Sequence, residues 1–299
     1  MAQVNSEERD VEVSPFLKWA GGKRSLILQL REFIPANFQS FHEPFLGAGS
    51  MFFSMPEDAR KYVNDFNGEL ILTYQALRDD LEGVIRELSQ FRNEREFYLS
   101  VRSWDRDPGL STISTSRRAA RFIYLNKVGF NGIYRLNRDG FFNVPFGSGG
   151  NKDFIAEARL RAVSKFLSSK DSYGAFLTQF SNLDISEWRL ETNDSLPFVY
   201  FDPPYYPVST TAGFVDYNEN GFGAEKQEIV RDKALEIARN GGKVMLSNSD
   251  TDFIRSLYSS RTFKIHTIKV RRSIAAKSSS RGVTTEVVIT NYKPRGMLT

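Results

Sequence analysis

The stretch "FVYFDPPYY", residues 198–206, decides the fold class of this chain and indicates where its functional site lies. Its first four residues are typical of a buried β-strand, which must stop at Pro203-Pro204 because proline cannot donate a hydrogen bond within a sheet. Asp202 then stands at the carboxyl end of a strand, the edge where open α/β sheets bind their ligands. With Tyr205 after it, this carboxylate predicts a small pocket for a planar group that carries an NH2. The alternative is a strand that ends in an ordinary proline-rich turn.

The composition limits the classes of protein to which the chain can belong. Its 299 residues, 40% hydrophobic and 25% charged, are ordinary for a globular protein with one large domain or two modest ones. The absence of Cys and the presence of only two His exclude a disulfide framework and argue against a metal site. No stretch reaches the roughly 18 apolar residues of a membrane-spanning helix. The polar N-terminus lacks the apolar core of a signal peptide, so we expect residues 1–13 to form a mobile tail and the protein to be cytoplasmic.

Positive charge is concentrated in two segments of a chain whose net charge is only +4 and whose pI is about 9.1. Residues 117–152 contain seven Lys or Arg and one acid, and residues 269–282 contain five Lys or Arg and no acid. Such segments are either solvated faces or two walls of a groove for a polyanion. Under the second interpretation, Arg271, Arg272 and Lys277 are candidate phosphate contacts.

Strands and helices alternate at both ends of the chain, which indicates an α/β protein with a mainly parallel sheet. The last two predicted strands, about residues 262–270 and 284–292, have no helix between them and predict an antiparallel edge pair. Residues 76–190 interrupt the alternation and predict a helical insertion. We therefore expect one α/β domain, formed by residues 14–75 and 191–299, that carries this insertion.

A glycine-rich turn, "EPFLGAGS" at residues 43–50, follows the first predicted strand. Gly47 and Gly49 allow a ligand to approach the backbone closely, although the turn lacks the third glycine of the dinucleotide-binding pattern. Asp65 ends the next strand 16 residues after Gly49, near the spacing at which an acid binds ribose hydroxyls. Together these residues predict a site for a cofactor that contains adenosine.

The stretch "KWAGGK", residues 18–23, adds a Trp and two Lys to a flexible glycine pair at the start of a helix. A helix N-terminus together with Lys23 suits a carboxylate. The alternative is that Trp19 is a core aromatic and that the lysines belong to a solvated turn.

Residues 130–147, "FNGIYRLNRDGFFNVPFG", contain turn signals at Asn131 and Asp139, each followed by glycine, and predict a β-hairpin. A hairpin of this size fits the major groove of DNA, where Arg135 could bond the O6 and N7 atoms of a guanine. Ile133 could contact a thymine methyl group, and Asn131 could fill the stack vacated by a flipped base. The alternative for Arg135 is a contact with a phosphate or a nearby acid.

Several of these motifs occur together in one known family. "FLKWAGGK", "EPFLGAGS", "NDFN" and "DPPYY" follow one another in the order seen in Dam-type DNA adenine N6-methyltransferases. The segments "FNGIYRLNRDGFFNVPFG", "LSNSD" and "AKSSSRG…TEVVITNY" also resemble that family. The resemblance spans about residues 14–293 and is strongest to the GATC-modifying methylases of DpnII-type restriction systems. The single motif "DPPY" is shared with RNA and protein N-methyltransferases, so the specificity of the resemblance rests on the combined set.

The resemblance implies a Rossmann-like methyltransferase sheet with a DNA target-recognition insertion, S-adenosylmethionine as cofactor, and double-stranded DNA as partner. In the family, the cofactor site is formed by the residues that match Trp19, Lys23, Phe45, Gly47, Gly49, Asp65 and Asp202. The catalytic motif corresponds to Asp202, Pro203, Pro204 and Tyr205. The DNA contacts correspond to Lys18, Asn131, Ile133, Arg135 and Pro145.

The chemistry of the "DPPYY" residues agrees with this resemblance. The exocyclic amine of adenine is a poor nucleophile, and the Asp202 carboxylate and the Pro203 carbonyl could hold its two N–H groups and favour the pyramidal amine of the transition state. A methyl group on a sulfonium transfers without a metal, and the base must leave the duplex to meet it, with Tyr205 stacking on the base. We expect a monomer that makes N6-methyladenine in GATC sites. The alternatives are the same chemistry on RNA, or a DNA-binding protein that keeps the fold without catalysis.

Overall fold

The computed structural model describes residues 12–19, 21–147, 153–190, 194–208, 222–271 and 283–297. Contacts between Cα atoms divide the chain into two compact units. The sheet unit comprises Gly21–Ile71 and Leu177–Thr299, and the helical unit comprises Met1–Ala20 and Leu72–Phe176. Residues 1–11, most of the predicted tail, lie outside the described part of the chain.

Seven strands form one sheet in the sheet unit. They are β1 Ser40–Glu43, β2 Arg60–Asn64, β3 Thr178–Ser181, β4 Pro197–Phe201, β5 Lys243–Ser249, β6 Lys264–Arg271 and β7 Val283–Thr290. Their order in the sheet is β3-β2-β1-β4-β5-β7-β6. The strands from β3 to β5 run parallel to one another, and β7 runs antiparallel to both β5 and β6. The predicted mainly parallel sheet with an antiparallel edge is therefore confirmed.

The strand order reverses between β1 and β4, which lie side by side in the sheet. From β1 the chain builds outward through β2 to β3, and from β4 it builds in the other direction through β5. Open α/β sheets bind ligands in the crevice outside the carboxyl ends of the strands at such a reversal. The topology therefore predicts that a ligand binds at the carboxyl ends of β1 and β4, which we call the functional edge.

Eight α-helices are described. They are α1 Ile27–Arg31, α2 Gly68–Asp79, α3 Leu81–Ser89, α4 Arg95–Arg102, α5 Thr115–Val128, α6 Glu157–Leu167, α7 Ala224–Arg239 and α8 Asp252–Leu257. Helix α5 is the central helix of the helical unit, because every residue from Ala119 to Val128 is buried. Burial on all sides is typical of a core helix rather than a surface helix.

The core of the sheet unit holds the functional edge in place. All five residues of β4 are buried, as expected for a parallel strand that is covered on both faces. Helix α7 buries Val230, Ala234 and Ile237, which recur at helical spacing, in a cluster that includes Val199 and Phe201. Full burial of a Val or Ile side chain contributes roughly 1.5–3 kcal/mol to folding. The strand that leads to Asp202 is thus firmly anchored.

The structure differs from the sequence prediction in the placement of β3. This strand pairs with β2 in the sheet unit, whereas residues 76–190, which contain it, are predicted from the sequence to be an insertion. Only Thr178 of its four residues is buried. Because β3 lacks the apolar run of an interior strand, the sequence carries little signal for it.

The predicted hairpin at residues 130–147 is also only partly correct. The segment contains isolated antiparallel bridges, Gly129–Phe146 and Leu136–Phe142, in place of continuous strands. A short 3-10 turn, Phe130–Gly132, opens the segment, and Asn131 within it has a φ of +55°. A left-handed residue at that position interrupts an extended strand.

Within the described part of the chain, none of the helices is long and apolar enough to cross a membrane. The same residues contain no group of three or more His, Cys, Asp or Glu that could hold a metal ion.

Candidate active site

Four acidic residues belong to the carboxyl edge of the sheet around the strand reversal. Glu43 is the last residue of β1, Asp65 follows β2, and Asp202 follows β4. Glu286 in β7 is paired with Ser249, the last residue of β5. The buried Lys23, which is 6% exposed, contacts this set through Asp202. The edge is therefore suited to a ligand that carries positive charge.

Asp65 is anchored to the glycine-rich turn. Its Oδ2 atom accepts a hydrogen bond from the backbone N–H of Gly47 at 2.9 Å, and Oδ1 accepts one from Asn67 N–H at 2.9 Å. Gly47 and Gly49 both have positive φ, +49° and +71°, a region that favours glycine. Burial raises the pKa of Asp65, and the two backbone hydrogen bonds partly offset this effect. The turn and the carboxylate thus form one fixed element of the edge.

Lys23, Asp202 and Tyr205 lie in direct contact. The Lys23 ammonium is 2.8 Å from Asp202 Oδ1, and it lies 4.3 Å from the centre of the Tyr205 ring. Ser247 Oγ donates to the same Asp202 oxygen at 2.6 Å. The carboxylate that the sequence singles out is therefore oriented by a cation and a hydroxyl through one of its two oxygens.

The Tyr205 phenol is held by a second acid. Its hydroxyl donates a hydrogen bond to Glu286 Oε2 at 2.9 Å. Burial, followed by the negative charge of Asp202, raises the pKa of Tyr205 well above its ordinary value. The phenol therefore stays protonated, and its ring is fixed beside the Asp202 carboxylate.

Glu43 is a further candidate residue of this edge that the sequence motifs do not single out. It is only 2% exposed, and its Oε2 atom has no hydrogen-bond partner among the described residues. Burial, reinforced by Asp202 and Asp65 and opposed by a backbone hydrogen bond from Phe52, raises its pKa well above the ordinary range. The sequence does hold a signal for it, because Glu43 precedes Pro44 at the end of β1 just as Asp202 precedes Pro203 at the end of β4. A buried oxygen without a partner marks a place where a ligand can donate.

Two aromatic rings border the glycine-rich turn and Asp65. Phe45 packs edge-on against Phe222, with ring centres 5.6 Å apart. Phe66, directly after Asp65, leaves 75% of its surface exposed. Phe45 is a predicted cofactor residue, whereas Phe66 is a further candidate that only its exposure reveals.

Trp19 and Lys18 belong to the helical unit. The Trp19 ring stacks on the rings of Phe122 and Tyr134, with centres 6.2 and 5.8 Å apart. The side chain of the buried Asn126 accepts a hydrogen bond from the Lys18 backbone N–H at 2.9 Å and donates one to the Lys18 carbonyl at 2.7 Å. The Lys18 side chain is exposed. Trp19 thus does not lie in the unit that contains Lys23, Asp65 and Asp202.

The segment 133–145 presents its predicted contact residues on the surface of the helical unit. Ile133 is 37% exposed, and Arg135 is exposed with its Nε atom donating to Asn143 Oδ1 at 2.7 Å. The backbone carbonyl of Pro145 accepts a hydrogen bond from Phe130 N–H at 2.9 Å. Arg135 is thus held by an amide of the same segment rather than by an acid.

Polar groups of α4, α5 and the turn between them anchor this segment. Tyr98 and Arg102 both donate to the carbonyl of Val144, at 3.0 and 3.1 Å. Asp105 accepts from the N–H of Phe142 at 2.7 Å and pairs with the buried Arg121 at 3.0 Å. These contacts give the segment a fixed shape although it lacks continuous strand pairing. Of the other predicted DNA contacts, Arg272 and Lys277 lie outside the described residues, and Arg271 is described only as the backbone end of β6.

The family model and the relatives that this chain matches are all described as DNA methyltransferases or Type II methyltransferases. The family model of D12 class N6 adenine-specific DNA methyltransferases matches residues 19–274. A Type II methyltransferase of Lactococcus lactis subsp. cremoris is 38% identical over 289 residues, which are 96% of this chain and 98% of that protein. A Type II methyltransferase of Methanocaldococcus jannaschii is 35% identical and covers 94% of this chain and 100% of that protein. The DNA adenine methylase of Escherichia coli is 35% identical over 93% of this chain and 95% of that protein.

The family match extends over both units, and the relatives align with nearly the whole chain. An acid followed by two prolines at the carboxyl edge of a mainly parallel sheet agrees with this assignment. The chain therefore belongs to the D12 class of N6 adenine-specific DNA methyltransferases, enzymes that methylate adenine in DNA.

Proposed function

We propose that the methyl donor is S-adenosylmethionine and that the carboxyl edge of the sheet unit binds it. The observation that supports this most directly is the set of acids at the strand reversal, Glu43, Asp65 and Asp202, of which Asp202 pairs with the buried Lys23 at 2.8 Å. The donor carries two cationic groups, a sulfonium and an ammonium. Glu43 Oε2, buried and without a partner among the described residues, is the atom best placed to accept a hydrogen bond from such a ligand.

The same edge provides groups that suit the adenosine portion. Asp65 is fixed by the Gly47 turn with both oxygens oriented, and each carboxylate oxygen can accept a further hydrogen bond from a ribose hydroxyl. The exposed ring of Phe66 offers a flat apolar face to an adenine. Lys23 is suited to the carboxylate of the donor, since its ammonium already lies at this edge. When bound, the donor supplies an electrophilic methyl group on a positively charged sulfur.

The "DPPYY" residues are proposed to hold the adenine amine. Lys23 and Ser247 both donate to Oδ1 of Asp202. Oδ2 and the Pro203 carbonyl are the proposed acceptors for the two amine hydrogens. Holding both hydrogens out of the ring plane keeps the nitrogen lone pair available for attack. Tyr205 would stack on a base that has been rotated out of the duplex.

The helical unit is proposed to recognise the target sequence, which we infer to be GATC in double-stranded DNA. Its exposed segment supplies Arg135 for a guanine and Ile133 for a thymine methyl group, while Asn131 stands at a left-handed turn beside them. Lys18, Arg271, Arg272 and Lys277 are proposed phosphate contacts. A monomer is sufficient, because each strand of a palindrome can be modified in a separate event.

The decisive experiment is a methyl-transfer assay with labelled S-adenosylmethionine on three substrates. They are a duplex with one GATC site, the same duplex with the site scrambled, and an RNA of the same sequence. The proposal requires N6-methyladenine only in the first. Equal labelling of the scrambled duplex would contradict the GATC assignment, labelling of the RNA would support the alternative substrate, and no labelling with this donor would contradict the cofactor assignment.

Asp65→Ala is expected to weaken cofactor binding while leaving binding of duplex DNA unchanged. The substitution removes a carboxylate acceptor and, with it, the hydrogen bond that Asp65 accepts from the Gly47 N–H, so both the ribose contact and the shape of the turn are affected. A lost hydrogen bond to a charged group costs about 1.5–3 kcal/mol, which corresponds to roughly a tenfold to a hundredfold rise in the cofactor Kd. Isothermal titration with the cofactor or its demethylated product measures this.

Asp58→Ala is the matched control for this measurement, because Asp58 is an exposed acid before the amino end of β2, whereas Asp65 follows its carboxyl end. The control variant is expected to bind the cofactor normally. An Asp65→Ala protein with unaltered cofactor affinity would show that the ribose assignment is wrong.

A further inference from the structure

Two buried amides, Gln227 and Asn248, form a chain of hydrogen bonds beneath residues 202–206. We propose that they are positioning residues for the chemical step, because they fix the backbone that carries the two acceptors of the adenine amine. The inference rests on the proposed roles of Asp202 and the Pro203 carbonyl.

The chain of hydrogen bonds begins in β5, passes through α7 and ends at the proline pair. Gln227 in α7 donates from Nε2 to the carbonyl of Pro204 at 2.8 Å. Asn248 near the end of β5 donates from Nδ2 to Gln227 Oε1 at 3.0 Å. Both side chains are fully buried, at 0% exposure. Each amide therefore fixes the orientation of the next, and the last one fixes the peptide plane after Pro204.

A second set of contacts holds the far end of the same stretch. Asn248 Oδ1 accepts from the backbone N–H of Tyr206 at 3.1 Å, and Ser249 Oγ donates to the carbonyl of Tyr206 at 2.5 Å. The Tyr206 ring stacks on Phe253, with centres 4.3 Å apart. Together with the Ser247 bond to Asp202, residues 202–206 are therefore held at their beginning, middle and end.

The two prolines explain why such bracing is needed. A proline ring fixes φ but leaves ψ free, so the direction of each proline carbonyl must be set from outside. Gln227 sets it at Pro204, and because φ of Pro204 is fixed by its ring, the neighbouring Pro203 carbonyl loses freedom as well. The Pro204 carbonyl thus accepts a hydrogen bond from Gln227 and has a structural role. The Pro203 carbonyl, in contrast, is proposed to accept from the adenine amine.

The identity of the side chains supports a geometric role. Buried amides are costly unless every polar atom is bonded, and an apolar pair of similar shape can be equally stable. Gln227 and Asn248 instead join α7, β5 and the proline pair by bonds of defined direction. A displacement of about 1 Å at reacting groups can slow a reaction roughly a hundredfold. Small shifts of residues 202–204 should therefore appear in the rate rather than in binding.

Gln227→Met tests this, because methionine nearly preserves the volume but removes both the donor and the acceptor. We expect the single-turnover rate of methyl transfer, at saturating cofactor and duplex DNA, to fall about tenfold to a hundredfold. The Kd values for cofactor and for DNA should stay within about threefold of the wild-type values, since both rest on other residues. Asn248→Asp is a second variant, which keeps the acceptor for Tyr206 but removes the donor to Gln227, and it should also slow the transfer.

Asn291→Ala provides a matched control at the opposite end of β5. Asn291 accepts from Val244 N–H at 2.8 Å and donates to the Gly242 carbonyl at 2.8 Å, so its loss also removes two amide hydrogen bonds to the same strand region. This variant should lower the melting temperature without slowing transfer in the folded protein.

The possible outcomes separate the inference from the function on which it rests. Three outcomes would overturn the positioning role: a wild-type rate in Gln227→Met, a loss of affinity that accounts for its slower rate, or an equal slowing in Asn291→Ala. None of them affects the proposed function as long as the wild-type protein is active. A wild-type protein that transfers no methyl group from S-adenosylmethionine to adenine would overturn both.

Discussion

Asp202→Ala is expected to lower the single-turnover rate of methyl transfer by roughly a hundredfold to a thousandfold, the effect of deleting one preorganised polar group in an active site. The carboxylate is proposed to hold one hydrogen of the amine, an interaction that strengthens as the nitrogen becomes pyramidal in the transition state. Affinity for duplex DNA should be nearly unchanged, because it rests mainly on phosphate contacts. Rapid-quench transfer of a labelled methyl group and an equilibrium DNA titration measure the two quantities.

Asp202→Asn separates the charge of this residue from its shape. Asparagine keeps an oxygen that can accept from Ser247 and Lys23, but it does not compensate the buried Lys23 ammonium. Removing one partner of a buried ion pair costs about 3–5 kcal/mol of stability, so both variants must be tested well below their melting temperatures. We expect the Asn variant to be slower than wild type and faster than the Ala variant. Near-normal turnover of the folded Ala variant would show that Asp202 does not hold the reacting amine.

The sheet was largely predictable because its central strands are buried on both faces. Parallel strands covered on both sides appear in sequence as short apolar runs, and the run that ends at Asp202 is of this kind. Strand β3 could not be predicted in the same way, since its residues Gln179 to Ser181 are partly or fully exposed. The antiparallel edge was predictable because the sequence between the two predicted strands, about residues 262–270 and 284–292, carries no predicted helix.

Candidate site residues could be predicted from the sequence where a carboxylate or a lysine lies beside a turn. They could not be predicted where a residue has its role only because it is buried. Glu43 shares the pattern of an acid before proline with Asp202, and comparison of the two strand ends could have identified it. Gln227 lies between charged residues in "AEKQEIVRDK", which resembles a solvated helix, yet it is fully buried. Only the tertiary packing of α7 over the proline pair shows that this amide bonds a carbonyl of the motif.

The segment that is proposed to recognise DNA contains residues that local motifs predict and also depends on residues whose role only tertiary packing reveals. Its exposed Arg135 and Ile133 could be predicted from the turn signals around them. The ion pair of Asp105 with the buried Arg121 holds the segment through the Phe142 N–H. This pair could not be predicted, because ion pairs between residues distant in sequence leave no local pattern. The segment is therefore rigid for reasons that lie outside its own sequence.

The second large effect is expected on sequence preference, from Arg135→Ala. The Nε atom of Arg135 donates to Asn143 at 2.7 Å, which fixes the guanidinium plane and directs recognition to its Nη groups. Two parallel hydrogen bonds from such a group to O6 and N7 of guanine discriminate against a wrong base by about 1–3 kcal/mol, or roughly fivefold to a hundredfold. The variant should therefore methylate sites with a substitution at one guanine position of GATC nearly as well as GATC itself. Sequencing of the N6-methyladenine formed on a randomised duplex library measures the preference at every position.

Arg138→Ala is the control for this experiment, because Arg138 is a second arginine of the same segment, three residues further along the chain. A contact with phosphate alone would weaken binding equally at all sequences, so this variant should retain the wild-type preference at lower affinity. Arg135→Ala should in turn leave the cofactor Kd unchanged, since Arg135 belongs to the helical unit and the proposed cofactor site to the sheet unit. The assignment of Arg135 fails if its removal slows methylation of all sites alike with no change of preference, and the GATC assignment fails if the wild-type enzyme modifies a different site.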